Sequence, residues 1–188
     1  MKNIPALDPK VLDLVTEISK EPKVEAAMAF IKDQTEVAMQ EQIELCEIEA
    51  PTFHEEKRAA SVAERMKLYG LTDVHIDEIG NVIGIRKGTG NGPVLAIGAH
   101  MDSVFPAGTD VKVKKEGNIY RAPGIGDNCS GLRALLQVLR AMEKEDIRTV
   151  GDIWFVGTVG EEGNGDIRGS KHLCANNKLD GFVAIDST

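Results

Sequence analysis

Aromatic side chains are scarce in this chain: five Phe, two Tyr and one Trp make up 4% of 188 residues. A platform for stacking nucleic-acid bases is therefore not expected. Basic residues are also in deficit, with 22 Lys and Arg against 30 Asp and Glu and a net charge of -8. That balance argues against a nucleic-acid partner, whose phosphates need cations. It names no substrate, because bulk charge speaks to solubility more than to chemistry. Cysteine is limited to Cys46, Cys129 and Cys174, an odd and widely spaced set with no CxxC pair. The set argues against a disulfide framework and points to a reducing compartment, the cytoplasm. Long apolar runs are missing too. Asp8, Lys10, Asp13 and Glu17 interrupt the first twenty residues, so no signal-peptide core is read there. No run is long enough to span a membrane.

What remains is 42% hydrophobic and 28% charged, the composition of a soluble domain with a real core. The first half reads as helical. Asp8-Pro9 is an N-cap followed by proline, opening a helix to Lys20. A second, long helix is predicted from Pro22 to Glu49, ended by Ala50-Pro51. Thr52-Phe53-His54-Glu55 looks like a capping box for a third helix that stops at Gly70. Strands follow at Asp73–Asp77, Asn81–Arg86 and Pro93–Ala99, then a hairpin of Val111–Lys114 and Asn118–Arg121. An amphipathic helix over Ser130–Glu143, a strand over Asp152–Val159, a short helix over Gly169–Asn176 and a strand over Gly181–Ile185 complete the pattern. This alternation predicts an α/β fold: a three-layer sandwich with a mixed, mostly parallel sheet flanked by helices and preceded by N-terminal helices. Residues 1–188 read as one domain, with residues 1–50 as its helical N-terminal segment.

Four stretches carry acids or a histidine where strands or turns should end: His100-Met101-Asp102, Asp127-Asn128, Glu161-Glu162 and Asp186. Each has a bland alternative. His100 could cap a strand, Asp127 could be the N-cap of the helix after it, Glu161-Glu162 could be a solvated loop, and Asp186 a turn residue. Taken together they open onto one edge of the sheet, the place where open α/β sheets bind ligands. One imidazole and several carboxylates suit a divalent metal such as zinc. Asp102, two residues from His100, could hold the imidazole in one orientation. Asp127 could bridge two ions, with Gly124 and Gly126 letting the backbone bend beside them. Of the adjacent pair Glu161 and Glu162, one could bind metal while the other acts as a general base.

At these residues the chain resembles the aminoacylase, carboxypeptidase G and peptidase T family of co-catalytic zinc hydrolases. The motifs are Gly98 to Phe105, Gly124 to Asn128, Gly157 to Gly163 and Ala184-Ile185-Asp186. The resemblance covers about residues 53–188. It implies two divalent ions, zinc first, with cobalt or manganese acceptable. It implies metal ligands His100, Asp127, Glu162 and Asp186, with Asp127 bridging. Asp102 would orient His100, and Glu161 would serve as general base and then protonate the leaving amine. The Asp127–Asn128 peptide is expected to be cis. Small peptides or N-acyl amino acids are the implied substrates, without nucleic-acid or membrane partners, and the full-length protein could be a homodimer.

The resemblance also implies a lid and dimerisation domain, then a returning segment with a final histidine ligand, beyond position 188. The expectation is therefore a catalytic domain in part, with weak or incomplete metal binding, little activity and an exposed sheet edge or apolar face. A non-catalytic metal-binding or regulatory module of the same fold is the alternative.

Overall fold

A computed structural model describes residues 8–187. The first seven residues of the N-terminal segment, and Thr188, lie outside the described residues.

Helix α1 (Pro9–Ser19) begins as predicted, with the Asp8 carboxylate accepting from the Lys10 N–H at 2.9 Å. Its apolar residues Val11, Leu14, Val15 and Ile18 are exposed. The predicted long second helix is instead two, α2 (Pro22–Asp33) and α3 (Thr35–Cys46), broken at Gln34. The Thr35 hydroxyl donates to the Lys32 carbonyl at 2.7 Å, and the Gln34 side chain accepts from Arg140 at 3.2 Å. Local side-chain bonds of this kind compete with the helical ladder.

Helix α4 (Glu56–Leu68) starts later than the capping box predicts. Glu55 holds the N-cap position without a side-chain cap bond, and Thr52 bonds elsewhere. Strands β1 (Asp73–Ile76), β2 (Val82–Arg86) and β3 (Leu95–His100) follow, then the hairpin β4 (Lys114–Glu116) and β5 (Ile119–Arg121). The hairpin's first strand lies further along the chain than predicted. Helix α5 (Cys129–Lys144), strand β6 (Ile153–Thr158), helix α6 (Arg168–Asn176) and strand β7 (Gly181–Ala184) complete the fold.

The main sheet has the order β1-β2-β6-β3-β7. Strands β6, β3 and β7 are mutually parallel neighbours, and β2 and β1 join antiparallel. Both faces of β6 are covered, which accounts for its unbroken apolar sequence. Phe155 faces the larger core, built from Leu132, Leu135, Leu136 and Leu139 of α5 with Val62 and Met66 of α4. Trp154 and Val156 face the smaller one, closed by Leu173 of α6. This is the three-layer α/β sandwich, with the parallel strands at the centre and at the β7 edge. Val183 on β7 is 59% exposed.

Arg58 of α4 is buried, yet among the described residues no carboxylate pairs with it. It donates instead to the carbonyls of Leu45 (3.1 Å), Met101 (2.7 Å), Cys46 (3.4 Å) and Ile48 (2.5 Å). It thereby serves the orphan carbonyls at the end of α3 and fastens α4 to the strand-end residue after His100. Arg58→Met keeps the bulk and strands those acceptors, each costing about 1–3 kcal/mol when buried. Urea unfolding should show a loss of about 3 kcal/mol or more. A loss under about 1 kcal/mol would contradict this account of the helix junction.

Candidate metal centre

The parallel register sets the site. His100, the last residue of β3, lies opposite Thr158 of β6, and Gly98 lies opposite Ala184 of β7. The three strands therefore end at one edge, and Glu161, Glu162 and Asp186 follow a few residues beyond. Asp127 arrives from the turn before α5. There Gly124 takes φ +78°, a conformation that favours glycine, whereas Gly126 does not have a positive φ. The Asp127–Asn128 peptide is cis. Asn128 is buried and works in two directions: its Oδ1 accepts from the Gly131 N–H at 3.0 Å, capping α5, and its Nδ2 donates to the Ile185 carbonyl at 2.9 Å. One side chain thus ties the Asp127 turn to the Asp186 strand end.

All six residues read from the sequence come together. His100 Nε2 lies 3.0 Å from Asp127 Oδ1, 3.6 Å from Asp186 Oδ1 and 3.9 Å from Glu161 Oε2. One donor atom each from His100, Asp127 and Glu162 fall within 4.8 Å of one another. His100 Nδ1 lies 3.1 Å from the Asp102 backbone carbonyl and 3.4 Å from its carboxylate. A carbonyl only accepts, so Nδ1 carries a hydrogen; Nε2 faces the carboxylates, donating to Asp127 while the ring is protonated and offering its lone pair to a cation that displaces that proton. His100 and Asp102 are buried, while Asp127 and Asp186 are about half exposed.

The Glu161-Glu162 segment is held by its backbone. Four consecutive N–H groups each find a side-chain oxygen from a distant part of the chain. Val159 donates to Asn81 Oδ1 (3.1 Å), Gly160 to Glu55 Oε1 (2.9 Å), Glu161 to Asp102 Oδ1 (2.9 Å) and Glu162 to Asp102 Oδ2 (3.0 Å). Asp102 Oδ2 also accepts from the Thr52 hydroxyl at 2.9 Å. Asp102 therefore does more than orient His100; it joins the strand end carrying the histidine to the segment carrying both glutamates. Asn81 and the two ties of Asn128 went unread in the sequence, and Thr52 and Glu55 were read as a capping box. Thr52 and Glu55 share a pattern that also spells a capping box, and nothing local marks Asn81.

Electrostatics favour a cation. Burial works against a charged His100, but the Asp102 hydrogen bond and the charges of Asp102, Glu161 and Asp186 prevail and push its pKa up to about 9. Burial likewise opposes the Asp102 anion; the His100, Glu161, Glu162 and Thr52 hydrogen bonds overcome it and bring Asp102 down to about 2. Glu162 is raised, first by burial and then by repulsion from Asp127. One imidazole cannot balance five neighbouring carboxylates. The donor set of one imidazole nitrogen and several carboxylate oxygens fits a divalent ion such as zinc.

An α/β sandwich presenting this cluster beyond its parallel strands defines a class of candidate metal-site hydrolases, and comparison with known proteins narrows it. Residues 96–187 match the model of peptidase family M20/M25/M40. Over those residues, just under half of the chain, the sequence is similar to that family. A Pyrococcus abyssi protein provisionally named LysW-lysine/LysW-ornithine hydrolase is 35% identical over 120 residues, covering 64% of this chain and 32% of its own length. The structure of aminopeptidase PepT from Bacillus cereus aligns with a TM-score of 0.68 and 25% identity, covering 81% of this chain and 43% of that one. A Staphylococcus aureus tripeptidase aligns at 0.66 and 31% identity, covering 80% of this chain and 43% of that one. The chain thus spans about a third of the curated relative's length.

Asp102→Ala removes the acceptor of two backbone N–H groups and one hydroxyl in a buried place. In metal-free protein it should lower stability by about 2 kcal/mol or more, read by urea unfolding. A change under about 0.5 kcal/mol, the range of an ordinary surface substitution, would deny Asp102 this joining role.

Proposed function

We propose that this chain carries the metal-binding part of a hydrolase that cuts amide bonds of small peptides or N-acyl amino acids. The observation that carries the proposal is the convergence of His100, Asp127 and Glu162 donor atoms within 4.8 Å, with Asp186 and Glu161 beside them. His100 and Asp186 would hold one divalent ion, Glu162 a second, and Asp127 would bridge them. Zinc suits the set, and cobalt or manganese are acceptable substitutes. Bound there, such ions supply Lewis acidity to a carbonyl oxygen and acidity to water.

The chain's own residues then have distinct tasks. Asp102, through the carbonyl and carboxylate facing Nδ1, keeps the Nε2 lone pair of His100 aimed at the cluster. Glu161 is about a third exposed, with Oε2 3.9 Å from His100 Nε2. Among the described residues no hydrogen bond reaches its carboxylate, so it is free to take a proton from attacking water and return it to the leaving nitrogen. The names of the relatives, a hydrolase of lysine or ornithine conjugates, an aminopeptidase and a tripeptidase, support an amide adjoining an amino acid or short peptide as the bond cut. No helix among the described residues is long and apolar enough to cross a membrane. With Cys46, Cys129 and Cys174 all free, we place the protein in the cytoplasm. In its full length we propose a homodimer.

Metal retention tests the proposal without requiring turnover. After zinc loading and dialysis, elemental mass spectrometry should find zinc on the wild-type chain, and His100→Ala or Asp127→Ala should release it. Glu161→Gln should retain zinc yet lower amide hydrolysis by about 100-fold or more, the usual worth of a general base. Wild-type protein that retains no zinc, or retention indifferent to His100 and Asp127, would refute the proposal.

A further inference from the structure

A cleft of about 410 Å³ lies beside Val159 and Arg168, at the two ends of the loop that carries Glu161 and Glu162. Phe53, Glu55, Ile76, Ile79, Val159 and Arg168 are among the residues that line it. Polar ties hold the loop between Val159 and Arg168. Glu55 makes two of them. Its Oε1 accepts from the Gly160 N–H at 2.9 Å, and its carboxylate takes the Arg168 guanidinium at 2.9 and 3.0 Å. Arg168 stands at the far end of the same loop. Its own N–H donates to the Gly160 carbonyl at 3.0 Å, while Ile167 donates to Glu161 at 3.4 Å and Gly169 to Val159 at 2.9 Å. The Arg168 side chain also donates to the Ile79 carbonyl at 2.9 Å and lies 5.3 Å from the Phe53 ring centroid.

We propose that the Glu55–Arg168 pair is a positioning device for Glu161 and Glu162. Glu55 is 3% exposed, so it holds both ends of the loop from a fixed, largely dry point. A carboxylate accepting from a backbone N–H and a guanidinium together makes charge-assisted bonds, stronger than neutral ones. Between the two ends, the loop carries its glutamates toward His100. Neither Glu55 nor Arg168 touches the cluster; both act through the backbone of residues 160–168. In relation to metal, the inference rests on the function proposed above. In relation to loop geometry, it stands independently.

The experiment has two arms. The first is amide hydrogen exchange on metal-free, nitrogen-15-labelled wild type, Glu55→Ala and Glu55→Gln. Glu55→Ala should speed exchange at Gly160, Glu161 and Glu162 by about tenfold or more, as local opening does, with the amides of Leu135 and Leu136 in α5 nearly unchanged. Glu55→Gln keeps a carbonyl acceptor for Gly160 and should restore much of the protection. Should Glu55→Ala not fold, Arg168→Met reads the same device from its other end. Faster exchange at Gly160 alone, or an equal rise throughout α5, would overturn the inference.

The second arm is cobalt uptake followed by visible absorption. Wild type and Glu55→Gln should share one ligand-field spectrum, and Glu55→Ala should show a weakened or shifted one. Identical spectra for all three would overturn the positioning role. Wild type that takes up no cobalt would contradict the proposed metal site, and the exchange arm would then decide this inference alone.

Discussion

The site depends on how four backbone N–H groups find partners after the chain leaves β6. From Val159 to Glu162 no neighbouring strand is there to accept them. A buried N–H without an acceptor costs about as much as a lost hydrogen bond, often more. Asn81, Glu55 and Asp102 supply the oxygens, each from a different part of the fold. These three side chains are buried, and the burial of two carboxylates is tolerable because each is met by several donors. The glutamates at the tip can then turn outward toward His100. A strand end becomes a chemical site because its backbone requirements are met from behind.

The same economy appears at the other half of the cluster. Asn128 caps α5 with its oxygen and ties down Ile185 with its nitrogen. The Asp127 carboxylate, one residue earlier, has its exposed face left for a ligand. On both sides the residue next to the chemistry, not the chemical residue itself, carries the structural load. This division leaves Asp127, Glu161 and Asp186 between about a third and half exposed. Acids of like charge held this close repel one another, and a divalent cation relieves that strain.

The sequence made the core of this arrangement legible because strand ends and their acids are local features. Apolar runs of β-type ending at His100, before Glu161 and before Asp186 could be read directly, and the parallel register then forces them to one edge. Asp127 was legible as a residue and ambiguous as a cap; in the structure Asn128 takes the capping task. The break at Gln34 was not visible, because periodicity continues through it and only the Thr35 and Arg140 contacts explain it. Glu55 and Asn81 were invisible for a different reason. Their partners lie 105 and 78 residues away, and a single sequence records no such pairing. Thr52 and Glu55 were misassigned because the spacing of a capping box is also, here, the spacing of two tertiary ties.

The central claim is that this arrangement of backbone and acids serves to hold divalent cations among His100, Asp127, Glu162 and Asp186. Anomalous diffraction at the zinc edge from zinc-soaked crystals tests it most directly. The account predicts a peak about 2.0–2.2 Å from His100 Nε2 and from an Asp127 oxygen, with Asp102 still accepting from Glu161 and Glu162. Zinc found only at other surface acids, with this cluster empty, would contradict it.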